Sequence, residues 1–142
     1  MSWHPCCCGV SSSCCADTIP TTIHVTLNSA TCGCEDGLTF TLTYNSTLVQ
    51  WEGSYNDGCD GNLHLVTFKC VSTGNAAWQM FITSTLIGPT LKGCRVLGSP
   101  NLSASASCDP LNVVFTGFTI SDNAHDGTCS CDGDALTYTV TD

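Results

Sequence analysis

The sequence predicts an all-β fold, an antiparallel β-sandwich of about eight strands stapled by disulfides. Three observations carry this. A Cys-x-Cys step, a short acidic Gly turn and a strict apolar/Thr alternation occur together twice, at 31–43 and 128–141. Thirteen of the 142 residues are cysteine, a density that marks a disulfide scaffold. No window shows 3.6-residue periodicity with capping signals, so almost no helix is expected.

Taken in order, residues 1–20 stand apart. Cys6, Cys7, Cys8, Cys14 and Cys15 lie there among Ser, Gly and Pro, bracketed by Pro5 and Pro20. That composition predicts an irregular arm, leaving 21–142 as the β-domain. Residues 21–28 alternate, with Ile23, Val25 and Leu27 on one face and His24 and Thr26 on the other. Period-two alternation is a strand with one buried and one wet face. Residues 38–45 follow, with Leu38, Phe40, Leu42 and Tyr44 inward and Thr39, Thr41 and Thr43 outward. Asn45-Ser46 turns the chain, and 47–55, carrying Val49 and Trp51, pairs back as a hairpin. The Asp-Gly and Asn residues of 56–62 form a turn cluster.

Residues 63–70 make a dense apolar strand. Residues 76–86 make a long one, with Trp78, Met80 and Ile82 on one face and Gly88-Pro89 ending it. A short strand is expected at 92–97 and a Ser-rich loop at 99–107. The seventh strand, 112–120, changes parity at Gly117, as at a bulge. The last, 135–141, turns Leu136, Tyr138 and Val140 inward and Thr137, Thr139 and Thr141 outward. The expected core is Val25, Leu27, Phe40, Leu42, Trp51, Phe68, Trp78, Met80, Ile82, Phe115, Leu136, Tyr138 and Val140. Strands at this spacing fit a sandwich or a closed barrel, and two sheets suit the one-face-wet alternation better.

The length fits one domain with a real core. Only three residues are Lys or Arg and the net charge is −9. Binding to phosphates or to anionic lipid relies on basic side chains, so nucleic acid and membrane surfaces are not expected partners. No apolar run approaches the roughly 20 residues of a membrane span. The first residues, Met1 to Cys6, have neither the basic nor the apolar region of a signal peptide. Dense cysteines without that signal fit three accounts: an export signal not in this chain, metal-binding thiols in a reducing cell, or oxidation after release, as for a virion protein.

Cys32, Cys34, Cys129 and Cys131 could form a four-sulfur metal site or two disulfides. Structural zinc prefers two to four residues between paired ligands, so spacing favours disulfides, with connectivity open. Cys59 with Cys70, and Cys94 with Cys108, are the pairings suggested for the remaining domain cysteines. Adjacent cysteines cannot easily pair with one another. Cys6, Cys7, Cys8, Cys14 and Cys15, with His4 nearby, therefore reach other cysteines, a zinc ion or a neighbouring subunit. Asp57, Asp60, Asp122 and Asp126 offer oxygens to calcium, although turn chemistry explains them without metal. No cofactor is required. No Gly-x-Ser-x-Gly elbow, His-Glu-x-x-His or phosphate loop is present, and a non-enzymatic protein is expected.

The order of features resembles small Cys-rich, Thr-rich β-proteins of planctomycete-type bacteria. The matching features are the Cys6-Cys7-Cys8 cluster, Thr22-Ile23-His24-Val25-Thr26-Leu27, Cys32-Gly33-Cys34, Phe40-Thr41-Leu42-Thr43-Tyr44-Asn45, Trp51-x-Gly53, Cys108-Asp109-Pro110-Leu111 before a Phe-rich strand, and Cys129-Ser130-Cys131 before Thr139-Val140-Thr141. The resemblance spans nearly the whole chain and carries no functional motif. It implies the fold class and a surface or virion-like setting.

Together these readings point to a structural or interaction subunit of an extracellular assembly such as a virion, filament or cell-surface layer. Its partners would be further copies or other subunits. The rival readings are a secreted glycan- or protein-binding module using exposed aromatics such as Trp3 or Tyr55, and a metal-binding domain built on the N-terminal cysteines.

Overall fold

The computed structural model describes residues 20–71, 77–85, 93–108 and 110–142. These residues contain no helix and form ten strands: β1 (Thr22–Asn28), β2 (Thr39–Asn45), β3 (Gln50–Asn56), β4 (Leu63–Cys70), β5 (Trp78–Ser84), β6 (Cys94–Leu97), β7 (Asn101–Leu102), β8 (Ser105–Cys108), β9 (Leu111–Asp122) and β10 (Ala135–Thr141). All pair antiparallel in one sheet, in the order β6-β9-β10-β1-β2-β3-β4-β5-β7, with β8 also on β9. The expected N-terminal arm, with Cys6, Cys7, Cys8, Cys14, Cys15 and His4, lies outside the described residues.

The all-β, antiparallel, disulfide-linked character agrees with the sequence. The sandwich does not: a single sheet curls into a half-barrel, and its own inner face supplies both walls of the core. Alternation cannot separate the two architectures, because each puts every second residue into an apolar interior. Ring contacts across the interior record the curl. Phe68 on β4 meets Phe115 on β9 edge-on at 5.9 Å. The Tyr55 hydroxyl on β3 lies 2.5 Å from that of Tyr138 on β10. Phe68 also stacks on Trp78 at 4.6 Å, and both pack on Trp51. Every expected core residue is buried except Phe40, which is half-buried and stacks on Tyr55.

The repeated motif is a strand–turn–strand unit used twice, as β1–β2 and as β9–β10. In the first unit the Gly37 amide donates to Leu27 O and the Leu27 amide to Leu38 O. In the second, Gly133 donates to Ile120 O and Ile120 to Asp134 O. Both glycines have a positive φ, 86° and 87°, a conformation that favours glycine. The carboxylates of Asp36 and Asp132 then accept from the amides of Ser29 and Asp122. The first unit carries one extra residue between its cysteines and this turn, Glu35. The two units flank one another, because β10 and β2 pair on either side of β1.

The bulge expected at Gly117 is present. Leu136 faces Phe118 and Tyr138 faces Phe115, so Thr116 and Gly117 together oppose Thr137. A Cβ at Gly117 would strike the Asn101 side chain.

The Ser-rich stretch expected to be a loop instead holds β7 and β8. It bridges the two edges of the curled sheet: β6 and β8 pair with β9, and β7 pairs with β5. Between these short pairings, serine hydroxyls replace the backbone ladder. Ser99 Oγ accepts from the Ile82 amide at 2.7 Å and donates to Ile82 O at 3.0 Å. Ser103 Oγ accepts from the Trp78 amide, and Ser84 Oγ from the Val96 amide at 2.8 Å. Sequence patterning reads serine as loop, and here serine serves as strand-edge partner.

Candidate functional site

One end of the half-barrel gathers a group of reactive side chains among the described residues. The β1–β2 loop supplies Cys32, Cys34 and Glu35. The β3–β4 turn supplies Asp57, Cys59 and Asp60, and the β9–β10 loop supplies Cys129 and Cys131. His64 enters from β4 and Cys94 from β6.

Three disulfides hold these loops: Cys32–Cys131, Cys34–Cys59 and Cys94–Cys129. Cys70 is disulfide-bonded as well. The Cys-x-Cys cysteines are all oxidised, but only Cys32 and Cys131 join the two steps to each other. The suggested pairings of Cys59 with Cys70 and of Cys94 with Cys108 do not form, since Cys59 takes Cys34 and Cys94 takes Cys129. Those suggestions rested on closeness in sequence, whereas the curl brings distant loops to one end. The side chain of Cys108 lies outside the described residues. Disulfides of this kind persist in an oxidising environment. The described residues include no helix long and apolar enough to cross a membrane.

The sulfurs form a compact group. Cys32, Cys34, Cys59 and Cys131 each place Sγ within 4.8 Å of the others. The four-sulfur set anticipated from the sequence had Cys129 in place of Cys59. Nothing in spacing marks Cys59, which arrives from a turn of a different hairpin. Gly58 makes the approach feasible, because a Cβ there would collide with Cys34 O.

Beside the sulfurs lies a buried carboxyl pair. Glu35 is fully buried. Its Oε1 accepts from the Gly58 amide at 2.6 Å, while Oε2 has no hydrogen-bond partner. Burial, reinforced by the charge of Asp57, pushes the Glu35 carboxyl up to about 8. Burial and the neighbouring charge of Asp57 both favour the neutral form of Glu35. At Asp57, burial raises the carboxyl, but hydrogen bonds from His64, the Cys59 amide and Glu35 outweigh it and hold Asp57 below the usual range.

His64 is fully buried between Asp57 and Ser84. Its Nε2 lies 3.0 Å from Asp57 Oδ2 and its Nδ1 2.8 Å from Ser84 Oγ. The order carboxylate, imidazole, hydroxyl is that of a hydrolytic triad. Here, however, the hydroxyl also receives the Val96 amide across the barrel opening. The chain of bonds from Asp57 through His64 and Ser84 to Val96 therefore ties the β3–β4 turn, β4, β5 and β6 together. It satisfies polar groups that would otherwise be buried unpaired, a costly state. Ser84 also lines a groove of about 290 Å³ between β5 and β6, together with Phe81, Arg95 and Asn123.

The carboxylates considered for calcium are occupied by the chain itself and do not converge on one point. Asp57 accepts from the amides of Cys59 and Asp60, and Asp60 from Asn62 and the Cys94 amide. Asp122 accepts from Ala124 and Gly127, and Asp126 from Thr128. All four cap turns, and Asp57 and Asp60 also bind His64 and the Cys94 amide.

No protein-family model matches the chain, and the comparisons find no similar curated protein and no similar solved structure.

Proposed function

We propose that the protein is a non-enzymatic structural and interaction subunit of an extracellular assembly such as a virion, filament or surface layer, held together by its disulfides. The observation that carries this reading is an apolar patch on the outer face of the half-barrel. Leu65 on β4, Phe81 on β5 and Leu102 on β7 are 46%, 44% and 59% exposed. They lie diagonally on adjacent strands, because Leu65 faces Thr83 and Gln79 faces Leu102. Diagonal neighbours on one face are roughly 7–8 Å apart, within reach of one another's side chains. Leu63, two residues before Leu65 on β4, is exposed on the same face. Grouped exposed apolar side chains mark contact surfaces, and the short strands at the barrel opening leave backbone edges for lateral pairing.

Light scattering and electron microscopy of the full-length oxidised protein test this. An ordered oligomer is expected. The triple variant Leu65→Ser, Phe81→Ser, Leu102→Ser should be monomeric with an unchanged denaturation midpoint. A wild-type chain that stays monomeric at high concentration would remove the reading. A serine-directed fluorophosphonate is expected to leave Ser84 unmodified, and labelling that requires His64 would point to hydrolysis instead.

The glycan-binding alternative loses one of its two aromatics. Tyr55, expected on an exposed loop, is buried beneath Phe40 and bonded to Tyr138. Trp3 lies outside the described residues.

A further inference from the structure

The four sulfurs of Cys32, Cys34, Cys59 and Cys131 have a definite shape. Four of the six distances between them join sulfurs that are not bonded to each other. These are Cys32–Cys34 at 3.6 Å, Cys32–Cys59 at 3.7 Å, Cys34–Cys131 at 3.5 Å and Cys59–Cys131 at 3.8 Å. The remaining two, Cys32–Cys131 and Cys34–Cys59, are disulfides and share no residue. The figure is a tetrahedron shortened along two opposite edges.

A zinc ion bound by four thiolates has Zn–S bonds of about 2.3 Å in tetrahedral geometry. Sulfurs on such a tetrahedron stand ~3.8 Å apart. Four edges of the cluster already have nearly that length. Reduction frees the other two to lengthen from the ~2.0 Å of a disulfide to ~3.8 Å, which moves each sulfur by ~0.9 Å. Side-chain rotation suffices for that displacement.

We propose that the dithiol-reduced chain binds one zinc ion through Cys32, Cys34, Cys59 and Cys131, so that metal and disulfides are alternative clamps on the same three loops. The chemistry balances with one external co-reactant, a small dithiol or a dithiol reductase. Two dithiols give four electrons and four protons to the two disulfides and become disulfides themselves. The four thiols then release four protons as Zn²⁺ takes their sulfurs as thiolates. In the reverse direction, two small-molecule disulfides take the four electrons and four protons to become dithiols, the two protein disulfides re-form and the ion is expelled. The proposal places the metal in the folded domain, within a cluster already packed by the barrel, and is independent of the assembly reading. The loops stay joined in both redox states.

Zinc binding to the full-length chain decides the matter. Cys6, Cys7, Cys8, Cys14 and Cys15 are first replaced by serine so that only domain cysteines can answer. The protein is reduced without oxygen and titrated with Zn²⁺ against a chromophoric chelator. Co²⁺ serves as the spectroscopic probe of four-sulfur coordination. One tightly bound zinc per reduced chain is expected, and none at this cluster in the oxidised chain. Loss of outer-shell partners alone costs 10–100-fold in metal affinity, so Cys59→Ser should weaken binding by more than about 100-fold. Cys129→Ser, which removes a cysteine outside the cluster, should leave binding intact. Cys59→His controls for misfolding, since it keeps a zinc ligand but cannot bond to Cys34, and it should still bind zinc. Absence of zinc from the reduced chain would overturn the proposal. So would zinc that survives Cys59→Ser, is lost in Cys129→Ser, or fails to return with Cys59→His.

Discussion

Replacing Cys32 and Cys131 together by serine should lower the stability of the oxidised protein by about 4 kcal/mol. The bond joins residues separated by 99 positions, but with Cys34–Cys59 and Cys94–Cys129 still closed the covalent path between them is about 40 residues, for which loop-closure entropy corresponds to ~4 kcal/mol. The Cys34–Cys59 bond, with a separation of 25, corresponds to ~3.5 kcal/mol on the same relation. The ordering is therefore part of the prediction: the Cys32/Cys131 double variant should be the less stable of the two. Both cysteines are buried, so the serines add unpaired hydroxyls and the loss will not fall short of the entropic figure by much. Urea unfolding without reductant measures it. A loss below about 1 kcal/mol would mean that the crosslink contributes none of this constraint.

Glu35→Gln should make stability nearly independent of pH across a range where the wild type weakens. The Glu35 carboxyl, near 4.5 when free, is pushed up to about 8 by burial and by Asp57. Between those values the folded protein keeps a proton that the unfolded chain releases. Stability from this group is thus fully present below about pH 4.5, declines as pH rises, and is gone above about pH 8. Each pKa unit corresponds to ~1.4 kcal/mol, so the decline amounts to a few kcal/mol for the oxidised protein. Asp57 acts in the opposite sense. Its lowered carboxyl contributes stability above the ordinary aspartate range that is lost only as pH falls into strong acid. Glutamine keeps an oxygen for the Gly58 amide and brings an N–H toward Asp57, and it has nothing to ionise. Urea midpoints from pH 5 to 9 should fall for the wild type and stay level for the variant. A wild-type profile that is flat or rising over this range would show that Glu35 is ionised in the folded state.

The strands were legible because β1, β2 and β10 alternate without exception, and burial of Ile23, Val25, Leu27 and Leu136, Tyr138, Val140 follows that pattern residue by residue. The bulge was legible because Gly117 sits where parity breaks. The closure of the sheet was not. It depends on Ser84, Ser99 and Ser103, whose hydroxyls do for β5 and β6 what backbone pairing does elsewhere, and no period records that role. The candidate site was half legible. Repetition marked Cys32, Cys34 and Cys131, but Cys59 joins them only after four strands have curled, and Glu35 and Asp57 read as ordinary turn acids until the barrel end buries them. The chain of bonds through His64 was invisible because Asp57 comes from the β3–β4 turn, His64 from β4 and Ser84 from β5, with no fixed spacing.

The position of the Cys32–Cys131 bond also decides how the domain would carry a pull. β1 and β10 are antiparallel neighbours, with His24 beside Thr141 and Asn28 beside Thr137. Tension applied at residues 22 and 141 would peel β1 away from its neighbours pair by pair and halt at the disulfide. The covalent path then runs through residues 22–32 and 131–141 alone, which extends to roughly 70–80 Å. Everything enclosed between the two cysteines, most of the sheet and both other mapped disulfides, stays off the line of force. In its oxidised form the domain would yield by that length and no further, with most of its sheet shielded from load.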